Sequence, residues 1–165
     1  MTMPKQERPR ELTITRVFDA PRELVWKAWT DKRILQRWWG PRGVTNPTCE
    51  WDARPGGKIN IVMLAGKELG SFAGQEWPMN GTFEEVTPKD RLVYVSGALE
   101  DKKGSETLVE TRTTVTFDDI KGKTKLTIRI AVIRVSDSPK AQFAIQGMEQ
   151  GWNQQIDKLG EELQK

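Results

Sequence analysis

The sequence contains no histidine. That absence removes the usual general base near neutral pH, both Ser-His-Asp and Cys-His nucleophile activation, and imidazole metal sites. Cys49 is the only cysteine, so no internal disulfide can form, which fits a reducing compartment. No spaced set of cysteines, histidines and acids suggests a metal, and no motif calls for a cofactor. Pro55-Gly56-Gly57 lacks the Lys-Ser/Thr that completes a phosphate-binding loop and reads as a hairpin turn. No run of 18 apolar residues exists, so no transmembrane helix is expected. The opening MTMPKQERPR has no apolar signal region, which makes a cytoplasmic location the default expectation. Neither sign of charge dominates: 26 basic and 23 acidic residues are interleaved, for a net charge of +3. The one basic run, Lys5, Arg8 and Arg10, carries no aromatic residues, so neither nucleic acid nor a membrane is an expected partner.

Tryptophan, in contrast, is concentrated. Trp26, Trp29, Trp38 and Trp39 fall within fourteen residues, in FDAPRELVWKAWTDKRILQRWWGP from Phe18 to Pro41. Such a cluster builds either a rigid core corner or the lid of a pocket. The chain of 165 residues suits one domain, which buries about 70% of the surface its unfolded chain exposes.

Residues 1–10 read as a loose polar arm and 11–165 as the domain. Glu11 to Phe18 alternates like a strand. Asp19-Ala20-Pro21 signals a helix start, and Thr30-Asp31 offers a second N-cap. Two short helices follow, ending at Gly40-Pro41, with Trp26 off the apolar stripe of the first. The spacing then predicts strands over 48–54, 58–64, 77–86, 91–98, 108–117 and 123–134, in a meandering antiparallel sheet. Residues 65–76 read as a long glycine-containing loop, and Glu84-Glu85 breaks the alternation as a bulge does. Ser138-Pro139 opens a helix whose apolar positions, from Ala141 through Met148, Trp152 and Ile156 to Leu163, recur every three or four residues. Gly147 and Gly151 interrupt it, for close backbone packing, local bending, or space left for a ligand.

FDAPRELVWKAWTDKRILQRWWGP, CEWDARPGGKI, GTFEEVTPKDRLVYV and EQGWNQQIDKLGEEL, in this order, resemble the bacterial proteins related to the C-terminal domain of the heat-shock-protein-90 ATPase activator. These belong to the START/birch-pollen-allergen superfamily, also called SRPBCC. The likeness runs from about residue 11 to 163. It implies an α+β helix-grip fold: a seven-stranded antiparallel sheet wrapped around a long C-terminal helix, with two short helices after the first strand. It also implies a cavity between sheet and helix, where the superfamily mostly holds apolar small molecules. The 65–76 loop departs from the family's usual short turn.

A cavity of that kind needs apolar walls with a few polar groups. The candidates are Trp38, Trp39, Ile61, Met63, Phe83, Tyr94, Val115, Ile128, Met148 and Trp152, each of which also suits a plain core. Tyr94 is the only tyrosine, and its hydroxyl either orients a ligand or bonds to backbone. Asp52 and Arg54 share a strand face and read as a salt bridge. Cys49 reads as a small buried hydrophobe. The leading expectation is non-catalytic binding of an apolar small molecule. The resemblance leaves two others open: a chaperone-associated interaction module, and a cyclase or dehydratase. Without histidine, the enzyme would work through Asp52, Glu76, Glu84, Glu85 or Tyr94. No catalytic residue is assigned, and a homodimer is compatible with the exposed strand edges.

Overall fold

The computed structural model describes residues 10–165. The arm expected over residues 1–10 lies outside them except for Arg10, whose carbonyl accepts from Val132 N at 2.7 Å and extends the first strand pairing. The strands are β1 (Glu11–Phe18), β2 (Val44–Trp51), β3 (Lys58–Ala65), β4 (Glu76–Thr87), β5 (Arg91–Leu99), β6 (Thr107–Ile120) and β7 (Lys123–Val135). Three helices join them: α1 (Arg22–Thr30), α2 (Lys32–Trp38) and α3 (Pro139–Leu163).

All seven strands form one antiparallel sheet in the order β1-β7-β6-β5-β4-β3-β2. Strands β2 to β7 meander, and β1 pairs with the far end of the run. β1 and β2 therefore occupy opposite edges although they are consecutive in the chain. The α1–α2 segment must cross from one edge to the other, and it does so over the face that α3 also covers, touching β6, β7, β2 and α3. This is the helix-grip architecture.

Local sequence explains the element ends. Asp31 caps α2 by accepting from Arg33 N at 2.9 Å, and Ser138 caps α3 by accepting from Lys140 N at 3.2 Å, with Pro139 in the first turn. Pro21 lies one position outside α1 rather than within its first turn, in an extended conformation. Its carbonyl accepts from Leu24 N and Val25 N. β2 begins at Val44, earlier than the alternation suggests, because the register shift between Thr45 and Thr48 absorbs Pro47, which has no N–H to donate. The expected bulge is present between Phe83 and Glu85. The loop after β3 contains a short 3-10 helix, Lys67–Phe72, kinked at Gly70.

The core lies between the sheet and the three helices. Trp29, Trp38, Leu35, Ile59, Ile61, Phe83, Tyr94, Phe117, Leu126 and Ile128 are all fully buried in one cluster. Trp51, absent from the sequence-based candidates, joins the sheet to the helices. Its indole N–H donates to Trp29 O at 2.7 Å, while its ring meets Trp39, Phe83 and Tyr94 at 5.0–5.2 Å. A Trp51→Phe substitution leaves that carbonyl buried without its donor and removes part of a packed ring. It should cost about 2–4 kcal/mol, measured as a lower urea midpoint at unchanged denaturant dependence.

Candidate functional site

The second half of α3 is anchored to the loop that follows α2. Gly40 has φ +85, and a Cβ there would lie 2.6 Å from Val44 Cγ2 and 2.9 Å from Met63 Sδ, so only glycine fits. Its N–H donates to Gln155 Oε1 at 2.7 Å. Arg42 N donates to Gln154 Oε1 at 3.0 Å. Lys158 Nζ donates to the carbonyls of Trp39, Gly40 and Pro41 at 3.2–3.4 Å. Burial lowers the Lys158 pKa, and the nearby Arg42 acts in the same direction. Ion pairs Arg42–Glu161, Arg37–Glu162 and Lys165–Glu162 surround this anchor. A hollow of about 350 Å³ opens beside it, lined by these charged side chains together with Glu68 and the start of β2. Because Arg37, Arg42 and Lys165 pair with Glu161 and Glu162, the hollow presents compensated charge rather than a field of one sign.

Beneath the middle of α3 lies an aromatic assembly. Trp29 contacts Trp38 at 4.9 Å, Trp39 at 6.3 Å and Trp152 at 6.5 Å, the last nearly parallel. Trp39 also meets Trp152 at 5.8 Å. Trp38 N–H is satisfied by Ala28 O. Other buried polar atoms are not: Trp29 Nε1, Tyr94 Oη, Gln155 Nε2 and Asn46 Oδ1 have no hydrogen-bond partner. Of the two roles open to Tyr94, bonding to backbone is therefore not realised. Burial pushes its phenol pKa far up, and the Thr113 side chain, opposite it in the sheet, acts in the lowering direction as the lesser cause.

Beneath the first half of α3 the core divides. Ala141 and Ile145 pack with Leu108 and Val109 in a small separate cluster. Met148 packs against both that cluster and the main core. At this seam a cleft of about 120 Å³ opens, with Leu12, Ile130, Val132, Ile145 and Met148 as apolar walls and Arg10, Glu11 and Glu149 around it. Gly147 and Gly151 flank Met148 on α3, and a Cβ at either would meet nothing within 4 Å. Close packing is therefore not what places glycine there.

Of the ten candidates from sequence, Trp38, Trp39, Ile61, Phe83, Tyr94, Val115 and Ile128 are buried together in the main core. Met63, Met148 and Trp152 are half-buried against it. Met148 lines the cleft, and Trp152 sits one turn further along, within the aromatic assembly. The acids that an enzyme would require sit elsewhere. Asp52 pairs with Arg54, Glu76 with Lys102, Glu84 with Arg112 and Glu85 with Arg91, all with substantially exposed side chains. The Arg112 hydrogen bonds hold the Glu84 carboxyl below its ordinary pKa, the opposite of what a general acid near neutrality needs. Cys49 is half-buried, and burial raises its thiol pKa, so thiolate is disfavoured. Sequence reasoning missed Gln155, Thr113 and Ser96, the buried polar residues of this region. Gln155 had one signal: it adjoins Ile156 on the buried stripe of α3.

The family model described as activator of Hsp90 ATPase homolog 1-like protein matches residues 19–164. The chain belongs to this family. A solved structure from Arthrobacter aurescens is 28% identical, with a TM-score of 0.74 over 93% of this chain and 86% of that one. One from Chromobacterium violaceum is 25% identical, with a TM-score of 0.73 over 94% and 97%. A Silicibacter pomeroyi protein named AHSA1 shares the fold at 22% identity, with a TM-score of 0.72 over 93% and 97%. Comparison with curated proteins returns no match. Membership of the activator-like family carries the ligand-binding architecture of its superfamily. Among the described residues no helix is long and apolar enough to cross a membrane.

Because Tyr94 is the only tyrosine, its titration can be read directly. At pH 10.5 an unperturbed tyrosine is about three-quarters ionised. The folded protein should show essentially no phenolate absorbance there, and denaturant should release it. The raised native pKa gives a stabilising contribution that is complete below pH of about 10 and is lost as pH rises beyond it.

Proposed function

We propose that this protein binds a mainly apolar small molecule between the sheet and the first half of α3, and that it does so without catalysis. The seam at Met148 carries this reading. The core is continuous beneath the second half of α3, where Gln155, Ile156 and Leu159 are buried, and divides beneath the first half. A half-open cleft of about 120 Å³ opens at the division, with Leu12, Ile130, Val132, Ile145 and Met148 as its apolar walls and Arg10, Glu11 and Glu149 at its charged side. Pockets for drug-sized ligands measure about 300–1,000 Å³, while an engineered apolar cavity of about 150 Å³ admits benzene. The cleft as it stands therefore receives one small apolar group, and a longer molecule enters only if the first half of α3 lifts. Gly147 and Gly151 supply the freedom: each weakens the helix by about 1 kcal/mol relative to alanine. The anchor at Gly40, Gln155 and Lys158 keeps the second half in place meanwhile.

Non-catalysis is supported by the chemistry of the interior. Among the described residues the buried polar side chains are Asn46, Ser96, Thr113, Thr124 and Gln155, none of them an acid or base near neutrality. Tyr94, also buried, is held in its neutral form at that pH.

The test is titration with 1-octanol, followed by methionine methyl chemical shifts. Organic extraction and mass spectrometry of protein purified from its own host would run in parallel. The Met148 methyl should move on titration. A Met148→Trp variant, which fills the cleft, should bind at least tenfold more weakly while its unfolding midpoint stays close to that of the parent. Equal binding by the variant, or a methyl that stays still together with an empty extract, would sink the proposal.

A further inference from the structure

The strand register places a line of hydroxyls beside the cleft. Leu12 on β1 is opposite Ile130 on β7, Ile130 is opposite Thr113 on β6, and Thr113 is opposite Tyr94 on β5. The adjacent row runs from Val132 to Thr111 to Ser96. Directly opposed residues share a face of the sheet, and so do residues two apart on a strand. Two cleft walls, Ile130 and Val132, thus continue across the same face into Thr113 and Tyr94, and into Thr111 and Ser96. Two strand spacings separate Ile130 from Tyr94, or about 10 Å.

The side chains of Tyr94, Thr113 and Ser96 are buried, and one of their hydroxyls, that of Tyr94, makes no hydrogen bond of ordinary geometry. Tyr94 and Thr113 are each 1% exposed and Ser96 8% exposed. Thr113 is near enough to act on the Tyr94 phenol, but no partner lies in hydrogen-bond geometry with its hydroxyl. A buried hydroxyl without a hydrogen bond is a standing cost, which phenylalanine at the same position would avoid. Among the described residues, the buried polar set carries no formal charge. A carboxylate or ammonium placed here would meet no counter-ion and would lose its hydration.

We infer that the ligand carries a single neutral oxygen function, an alcohol or a ketone, on its buried end, and that the Tyr94 hydroxyl, flanked by Thr113 and Ser96, is the polar anchor that receives it. The phenol donates to a ketone or alcohol oxygen, and the threonine and serine hydroxyls accept from an alcohol proton. The apolar remainder of the molecule lies along Ile130 and Leu12 towards the cleft, under Met148. This inference rests on the binding reading above and adds the chemical class of the ligand.

The experiment compares 1-octene, 1-octanol, 2-octanone and octanoate against the parent protein, Tyr94→Phe and Thr113→Val, at a pH where octanoate is ionised. Affinities come from methionine methyl shifts, and denaturant unfolding confirms that each variant is folded. Comparing each probe with itself across variants removes differences in its own hydration. Tyr94→Phe should weaken 1-octanol and 2-octanone by about three- to tenfold, the range for losing one hydrogen bond, and leave 1-octene unchanged. Thr113→Val should weaken 1-octanol more than 2-octanone. The unfolding midpoint of unliganded Tyr94→Phe should equal or exceed that of the parent. If 1-octanol and 2-octanone bind Tyr94→Phe as tightly as the parent while 1-octene still binds, the anchor is wrong and apolar binding stands. Octanoate binding more tightly than 1-octanol also overturns the inference. If none of the neutral probes binds, this inference and the binding reading fall together.

Discussion

The contact on which the rest of the structure depends is the hydrogen bond from Gly40 N to Gln155 Oε1, reinforced by the Lys158 ammonium across three consecutive carbonyls. A chain that sends β1 and β2 to opposite edges of one sheet must bring the connecting helices back over its face. The turn at Gly40 is where that crossing ends and β2 begins. Gluing the turn to α3 fixes three layers at once: the short helices, the edge strand and the cover helix. The polar atoms involved are the carbonyls and N–H groups left over after α2 stops, which would otherwise be buried without partners. Structural need therefore accounts for the polar side chains at this end of α3, which weakens any reading of them as a binding site.

The same anchor divides α3 into two mechanical parts. Beyond Trp152, the helix is held by hydrogen bonds, ion pairs and the buried side chains of Ile156 and Leu159. Before Trp152 it rests on a small cluster, an exposed Phe143–Phe72 contact, the Lys140–Glu100 ion pair and a methionine bridging two cores, and it contains two glycines with open space beside them. Local stability follows such differences in packing and bonding, and binding elements are drawn from the weaker end. Trp152 marks the boundary: it stacks on Trp29 on the rigid side, one turn from the cleft residue Met148.

The fold was legible in the sequence to the extent that periodicity carries it. Alternation in β7 and the three-and-four spacing of α3 are unambiguous, and the caps at Asp31 and Ser138 announce themselves. Element ends were less legible where chain and tertiary structure compete. Pro47 hides the start of β2 because a bulge, set by pairing with β3, removes the donor requirement that would exclude proline. The candidate site was only half legible. Apolar wall residues follow from strand parity, so Ile130, Ile128 and Tyr94 were bound to face the helix. The seam at Met148 and the hydroxyl row depend on which strands are neighbours and in what register, and no local pattern encodes that. Thr113 and Ser96 resemble ordinary strand residues until register sets them beside Tyr94. Trp51 escaped notice because its role is to join the sheet to helix residues more than ten positions away.

Under the proposed function, the seam at Met148 has a reason that further packing would not give it. A Cβ at Gly147 or Gly151 would meet nothing within 4 Å, so alanine at either position would strengthen the helix without a clash. A phenylalanine in place of Tyr94 would remove an orphaned hydroxyl. Each change would raise stability at no structural cost, and the chain has none of them. A molecule that fills the cleft and meets that hydroxyl would recover the same stability from outside. It would stabilise the folded form by RT ln(1 + [L]/Kd), about 2.7 kcal/mol at a hundredfold excess over Kd. On the proposed reading, docking of the first half of α3 and capture of the ligand are coupled through Met148, which packs against both clusters.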